Sequence, residues 1–335
     1  MNDNGNILMS RNDDNCFTLF RYLFAFSIFY HHLCRVTGGE GLGRYAHVFV
    51  LGFFIISGYL TLNSYARYSD WRSFVVKRVK RIMPAYVLTI LFCFCIGALF
   101  TTLPLWQFLK DPHTWKYLFS NLVFLNFLQP TLPGVFVDHY YPMLNAALWT
   151  MKIEVLFYFT VPLVWMLMKR FGTQFVLWTI VVSSLAYGII TQELYLSTDN
   201  HIFYTLNHQF IGEMCAFYFP VLVLINWEWF MRRYRVWVIL AGIPFLLYFF
   251  YERWAYVLPI ALSLLVILPS YALERWVRAN HWQNITYEFF LLHFPILNIG
   301  VELMPGIERW QLAIIAFPAT CLLAYGLQKL VKFIQ

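Results

Sequence analysis

The stretch FTLFRYLFAFSIFYHHLC, residues 17–34, decides how the rest of the chain is read. Apart from Arg21, a few small polar residues and the closing histidines it is apolar or aromatic, and its length approaches the roughly 20 residues that an α-helix needs to cross a hydrocarbon core. The residues ahead of it include Asp3, Arg11, Asp13 and Asp14. That is unlike the basic start of a secretory signal, and no small-x-small cleavage site follows, so the stretch is expected to remain as a membrane span.

The same texture continues outward. The 335 residues are 60% hydrophobic, 21% aromatic and 12% charged, whereas water-soluble chains are roughly 45–50% apolar and 25% charged. An all-α, polytopic membrane helix bundle is expected, with spans at 17–34, 46–65, 84–103, 146–168, 173–190, 208–226, 236–251, 255–272, 284–303 and 310–328. An eleventh run, 115–129, is short and holds Ser120, Asn121 and Asn126.

Charge settles its status. With the N-terminus in the cytoplasm and 115–129 re-entrant or interfacial at the exterior, sixteen basic residues face the cytoplasm: Arg11, Arg67, Arg72, Lys77, Arg78, Lys80, Arg81, Lys169, Arg170, Arg232, Arg233, Arg235, Arg275, Arg278, Lys329 and Lys332. Only Arg35, Arg44, Lys110, Lys116, Arg253 and Arg309 lie outside. The positive-inside rule therefore favours ten transmembrane helices with both termini cytoplasmic, in a single integral membrane domain over 1–335. The net charge of +7 sits in short gaps between apolar runs and forms no basic face, which argues against nucleic acid as a partner. Five of the six cysteines lie in apolar runs, and Cys93 and Cys95 point about 200° apart on a helix, so neither a disulfide framework nor a metal site is indicated.

A charge at the bilayer centre costs about 2.5–3.5 kcal/mol on insertion scales, so each retained one asks for a reason. Arg21 and His32 are eleven residues apart, three turns plus roughly 20°, and share a face about 16 Å apart in depth. His31 lies about 100° off that face. Glu154 falls about two turns below the outer edge of its span, and Lys152, at i−2, points about 200° away and makes a poor partner. Glu213 and Glu288 lie near span ends, within reach of water; His293 is near mid-span, and a buried histidine is as often structural as catalytic. In the loop 67–83, Arg78 and Arg81 share one side of a helical turn closed by Pro84, a pair suited to clamping phosphate. Ser57-Gly58 forms a small step that admits either a thin ligand or another helix.

Together these pieces resemble the acyltransferase-3 family of integral membrane O-acyltransferases. The resemblance is carried by Arg21 and His32, by Gly52-Phe53-Phe54-Ile55-Ile56-Ser57-Gly58-Tyr59, by Arg78-x-x-Arg81 leading to Pro84, by Leu148-Trp149-Thr150 with Glu154 and Phe157-Tyr158, and by Thr286-Tyr287-Glu288-Phe289-Phe290-Leu291-Leu292-His293. The five motifs occur in the family's order across nearly the whole chain. Departures are Tyr59 where phenylalanine is common, Phe290 where tyrosine is common, Lys152 at a position often small, and no appended extracytoplasmic hydrolase-like domain, which leaves a self-sufficient enzyme or one with a separate partner chain.

The resemblance implies transfer of an acyl group, commonly acetyl from acetyl-CoA, to a hydroxyl of a glycan or lipid-linked glycan outside the bacterial cytoplasmic (inner) membrane. Arg78, Arg81 and Arg21 would then hold the CoA phosphates, with the Ser57-Gly58 step as a further donor-binding element. His32 would act as general base, with either Glu154 or His293 as its partner; Glu154 in that role would orient it or stabilise its charged form. Two other readings use the same residues: a proton-coupled transporter or flippase of a polysaccharide-assembly system, and a non-catalytic scaffold in polysaccharide export. Matching halves with broken helices, common in transporters, are not found in the sequence, and a proton relay has no need of a cytoplasmic phosphate clamp.

Overall fold

The computed structural model describes residues 15–68, 70–277 and 282–335. Arg11 and Arg278, together with the side chain of Arg275, lie outside the described residues. The chain forms helices α1 (Phe17–Val36), α2 (Ala46–Tyr68), α3 (Trp71–Phe100), α4 (Leu105–Lys110) and α5 (Pro112–Leu122). After a long irregular segment follow α6 (Trp149–Phe171), α7 (Thr173–Thr198), α8 (His201–Asn207), α9 (Phe210–Ile225) and α10 (Trp227–Arg232). The series closes with α11 (Tyr234–Tyr248), α12 (Leu258–Val277), α13 (Thr286–Leu303) and α14 (Arg309–Ile334). Among the described residues there is no strand.

Each of the ten apolar runs is a helix. Seven helical segments among the described residues are long and apolar enough to cross a membrane. The other three expected spans are α1, which carries Arg21 and Arg35, α13, which carries Glu288, His293 and Glu302, and the 15-residue α11. The 115–129 run folds as α5, of 11 residues, and a short 3-10 turn over Asn126–Leu128. At 1.5 Å per residue α5 is about 16 Å long, roughly half a hydrocarbon core. The two asparagines of this run are tied to each other and to α3. Tyr86 Oη donates to Asn121 O at 2.7 Å, and Asn126 Nδ2 donates to Asn121 Oδ1 at 2.7 Å and to Tyr86 Oη at 3.1 Å.

One expectation needs correction. The polar segment before Pro84 is not a loop with a helical turn ending at the proline, because α3 starts at Trp71 and continues through Pro84 to Phe100. Two contacts explain this. Asp70 caps the start, accepting from Ser73 N at 2.9 Å and Arg72 N at 3.3 Å, and the Ser73 bonds hold its carboxyl below the usual carboxylate range. Proline removes the N–H that would bond the carbonyl four residues back, and Gln335 Nε2 donates to that carbonyl, Lys80 O.

The helices gather into two compact units. One comprises Met1–Phe24, His47–Val76 and Ile153–Trp282. Its centre is α9, whose residues from Cys215 to Leu224 are all buried; a helix that is apolar all round belongs inside. A Cβ added at Gly58 of α2 would lie 1.9 Å from Phe217 O of α9, so this glycine permits close backbone approach. The hydroxyl of Tyr59, the departure from phenylalanine noted above, is bonded to Tyr271 Oη at 2.6 Å.

The other unit comprises Ala25–Ala46, Lys77–Lys152 and Gln283–Gln335. There Cys93 of α3 packs with Phe108, Tyr117, Leu132, Val135, Phe136 and Leu144, an apolar cluster that holds the segment between α3 and α6 in place.

Candidate active site

The second unit brings two histidines together. His32 Nδ1 lies 2.7 Å from His293 Nε2, with the ring centres 5.0 Å apart and the planes inclined by 21°. The edge of Phe294 meets the His32 ring at 4.9 Å. His293 is 1% exposed, and its Nδ1 lies 2.8 Å from Phe290 O and 3.3 Å from Phe289 O. His32 is half-buried. The adjacent His31 is engaged elsewhere, since its Nδ1 accepts from Leu42 N at 3.1 Å and ties the turn after α1 back to the helix.

Pro295 shapes α13 at this point. It has no N–H for Leu291 O, and Asn145 Nδ2 fills the gap by donating to that carbonyl at 2.8 Å. Farther along, Asn298 Nδ2 donates to Met143 O at 3.0 Å, while His139 bonds Asn298 Oδ1 at 3.0 Å and Glu302 Oε2 at 2.9 Å. The 139–145 segment is thus strapped along the helix that carries His293.

Glu154 has partners in the first unit. Ser57 Oγ donates to its Oε1 at 3.2 Å, Tyr158 Oη donates to the same oxygen, and the two hydroxyls lie 3.1 Å apart. The Ser57-Gly58 step therefore combines a packing glycine with a serine bonded to an intramembrane carboxylate. Lys152 places its ammonium 4.7 Å from the centre of the Phe127 ring, a cation–π contact that accounts for a charge with no carboxylate beside it in sequence.

Of the residues singled out from sequence, Arg21, Ser57, Gly58 and Glu154 belong to the first unit, and His32, Arg78 and Arg81 to the second. Arg21 and Arg78 are half-buried and Arg81 is exposed. Arg78 and Arg81 remain on one side of α3, three residues apart. His32 finds its ring partner in His293, while Glu154 is bonded to Ser57 and Tyr158.

Sequence reasoning did not reveal three arrangements. Tyr158 stands at i+4 from Glu154, a spacing that places them on one face and was there to be read. Glu213, expected to reach water, is 2% exposed and bonded to His47 Nε2 at 2.7 Å. Glu288, also expected near water, is 8% exposed.

Comparison with known proteins fits this picture. A family model described as an acyltransferase domain matches residues 14–328. Nodulation protein 10 of Rhizobium leguminosarum bv. viciae is 29% identical over 160 residues, which is 44% of this chain and 41% of that protein's own length. No solved structure matches the chain. Since the family model spans nearly every described helix, including those that carry His32, Arg78, Glu154 and His293, the chain belongs to the acyltransferase-3 family.

Proposed function

We propose that this protein is an O-acyltransferase of a bacterial cytoplasmic membrane, moving an acyl group, commonly acetyl, from cytoplasmic acyl-CoA to a hydroxyl of an extracytoplasmic glycan or lipid-linked glycan. In this reading ten helices span the membrane with both termini in the cytoplasm. The observation that carries it is the family match over residues 14–328 together with a half-buried His32 bonded through one ring nitrogen.

The donor's chemistry suits the residues present. CoA phosphates need cations outside the hydrocarbon, and the first turns of α3 offer Arg78 and Arg81 on one side, with Lys77 and Lys80 beside them. Arg21, toward the cytoplasmic end of α1, adds a further cation. The pantetheine arm is slim enough to follow a path between helices, but Gly58 is not open to it, because Phe217 O lies where its side chain would be. His32 meets the acyl carbon from the acceptor side. Its imidazole takes the proton of the sugar hydroxyl as the oxygen attacks the thioester carbonyl, then returns that proton to the departing thiolate. Glu154 is held by Ser57 and Tyr158 within the first unit.

The test is CoA release by the purified protein in detergent or nanodiscs. His32→Ala should lower turnover by about 10²–10⁴-fold, the usual contribution of a general base, with little change in donor affinity. His31→Ala should have a small effect on turnover, since its role is to hold Leu42. Near-normal turnover in His32→Ala, or an essential His31, would refute the assignment. Mass spectrometry of surface glycans from cells with and without the protein identifies the acceptor.

A further inference from the structure

We propose that His293 is the positioning residue of this reaction. It fixes His32 in the tautomer that carries the proton on Nδ1 and the lone pair on Nε2. The proposal rests on the reading of His32 as the base.

The assignment follows from what each atom can do. A carbonyl oxygen only accepts, so His293 Nδ1, 2.8 Å from Phe290 O, carries a proton. The His293 ring is 1% exposed, and among the described residues no carboxylate is bonded to it. A second proton would place an uncompensated charge in apolar surroundings. His293 is therefore neutral, and its Nε2 holds a lone pair. Facing that lone pair at 2.7 Å, His32 Nδ1 must donate. A neutral imidazole has one N–H, so His32 Nε2 is left unprotonated, and no described residue hydrogen-bonds it. The bond to His293 and the T-shaped contact with Phe294 keep the His32 ring from turning over.

The arrangement matters because free histidine prefers the opposite tautomer, with its proton on Nε2. Without a partner at Nδ1, His32 would present an N–H to the substrate hydroxyl, which is the wrong group for a base. His293 reverses that preference without adding a negative charge. When Nε2 takes the hydroxyl proton, a carbon–oxygen bond forms at the thioester carbonyl and the carbon–sulfur bond breaks. The CoA thiolate then removes the proton from Nε2, and His32 returns to the tautomer that His293 holds. A partner that is neutral does not trap the proton on the base, which suits a group that must release it to a thiolate in the same turnover.

The experiment uses full-length protein with ¹⁵N-labelled histidine rings, in which the shifts of Nδ1 and Nε2 report the tautomer directly. In the unsubstituted protein His32 should show protonated Nδ1 and bare Nε2. His293→Leu, which removes the acceptor, should shift His32 toward protonated Nε2 and lower kcat by about 10–10⁴-fold, the upper figure being that of a triad histidine held in the wrong tautomer. The KM for the donor should not change. His293→Gln, whose amide oxygen can still accept, should recover part of both the shift and the rate. Protonated Nε2 on His32 in the unsubstituted protein would overturn the proposal without need of any variant. So would full turnover in His293→Leu while His32→Ala is inactive, and this result would leave His32 as the base. If His32→Ala itself stays active, the reading beneath the proposal fails and the proposal falls with it.

Discussion

Asn145 offers a test of how α13 tolerates a proline beside its histidine. Two of its side-chain atoms are in use. Nδ2 donates to Leu291 O at 2.8 Å, the carbonyl that Pro295 leaves without a helical donor, and Oδ1 accepts from Ala147 N at 3.2 Å, capping the 3-10 turn before α6. Replacing Asn145 with leucine removes both bonds. The lost cap should cost about 0.5–2 kcal/mol, and the buried, unpaired carbonyl about 1–3 kcal/mol more. The two contributions can be separated, because Pro295→Ala restores an N–H at position 295 that can reach Leu291 O. A double-mutant cycle over Asn145→Leu and Pro295→Ala should therefore show positive coupling close to the carbonyl contribution, at least about 1 kcal/mol, while the cap loss persists in both backgrounds. The assay is unfolding in detergent followed by tryptophan fluorescence, with turnover measured alongside. If the substitutions prove additive, Asn145 does not stand in for the missing helical bond and the account of α13 is wrong.

Other outcomes follow from the same contacts. Arg78→Ala and Arg81→Ala should each raise the KM for the acyl donor by about tenfold or more, since each removes a charge-assisted contact of about 1.5–3 kcal/mol; unchanged donor affinity in both would assign these residues to lipid or topology. Gly58→Ala should lower stability by about 1–3 kcal/mol, because its Cβ would fall 1.9 Å from a backbone oxygen, Phe217 O, which has no flexible side chain to yield; an undiminished Tm would contradict this close packing. Cysteine labelling should find position 78 reachable only from the cytoplasm and position 116 only from outside, and labelling of position 78 from outside would reverse the proposed topology.

The helical character of the chain was legible because crossing a bilayer demands long apolar runs, and each of the ten became a helix. What escaped was whatever apolarity does not report. The first turns of α3 were misread because Arg72, Lys77, Arg78, Lys80 and Arg81 break the hydrophobic pattern and Pro84 resembles a terminator, although Lys and Arg favour helix. Only Asp70 as a cap and Gln335 as a substitute donor make the continuous helix intelligible, and Gln335 is remote in sequence. The same limit applies to the site. Arg78 and Arg81 on one face could be read from spacing, and so could Tyr158 beside Glu154. The pairing of His32 with His293 joins residues 261 positions apart, and no local pattern encodes it. Glu213 was placed near water because it opens its helix; its burial comes from His47, a partner supplied by another helix.

The length of α3 has a thermodynamic consequence. Its thirty residues extend about 45 Å, and a hydrocarbon core takes up about 30 Å of that. The remainder carries the basic side chains beyond the apolar region on backbone that is already ordered. Had Arg78 and Arg81 lain on a flexible loop, an anion would have to freeze that loop on arrival, at roughly 1–2 kcal/mol for each residue fixed. Carried on a helix, they would meet the proposed polyphosphate donor with only side-chain rotamers left to lose. Donor capture should therefore show a small entropic penalty and survive warming better than capture by a disordered basic loop of the same charge.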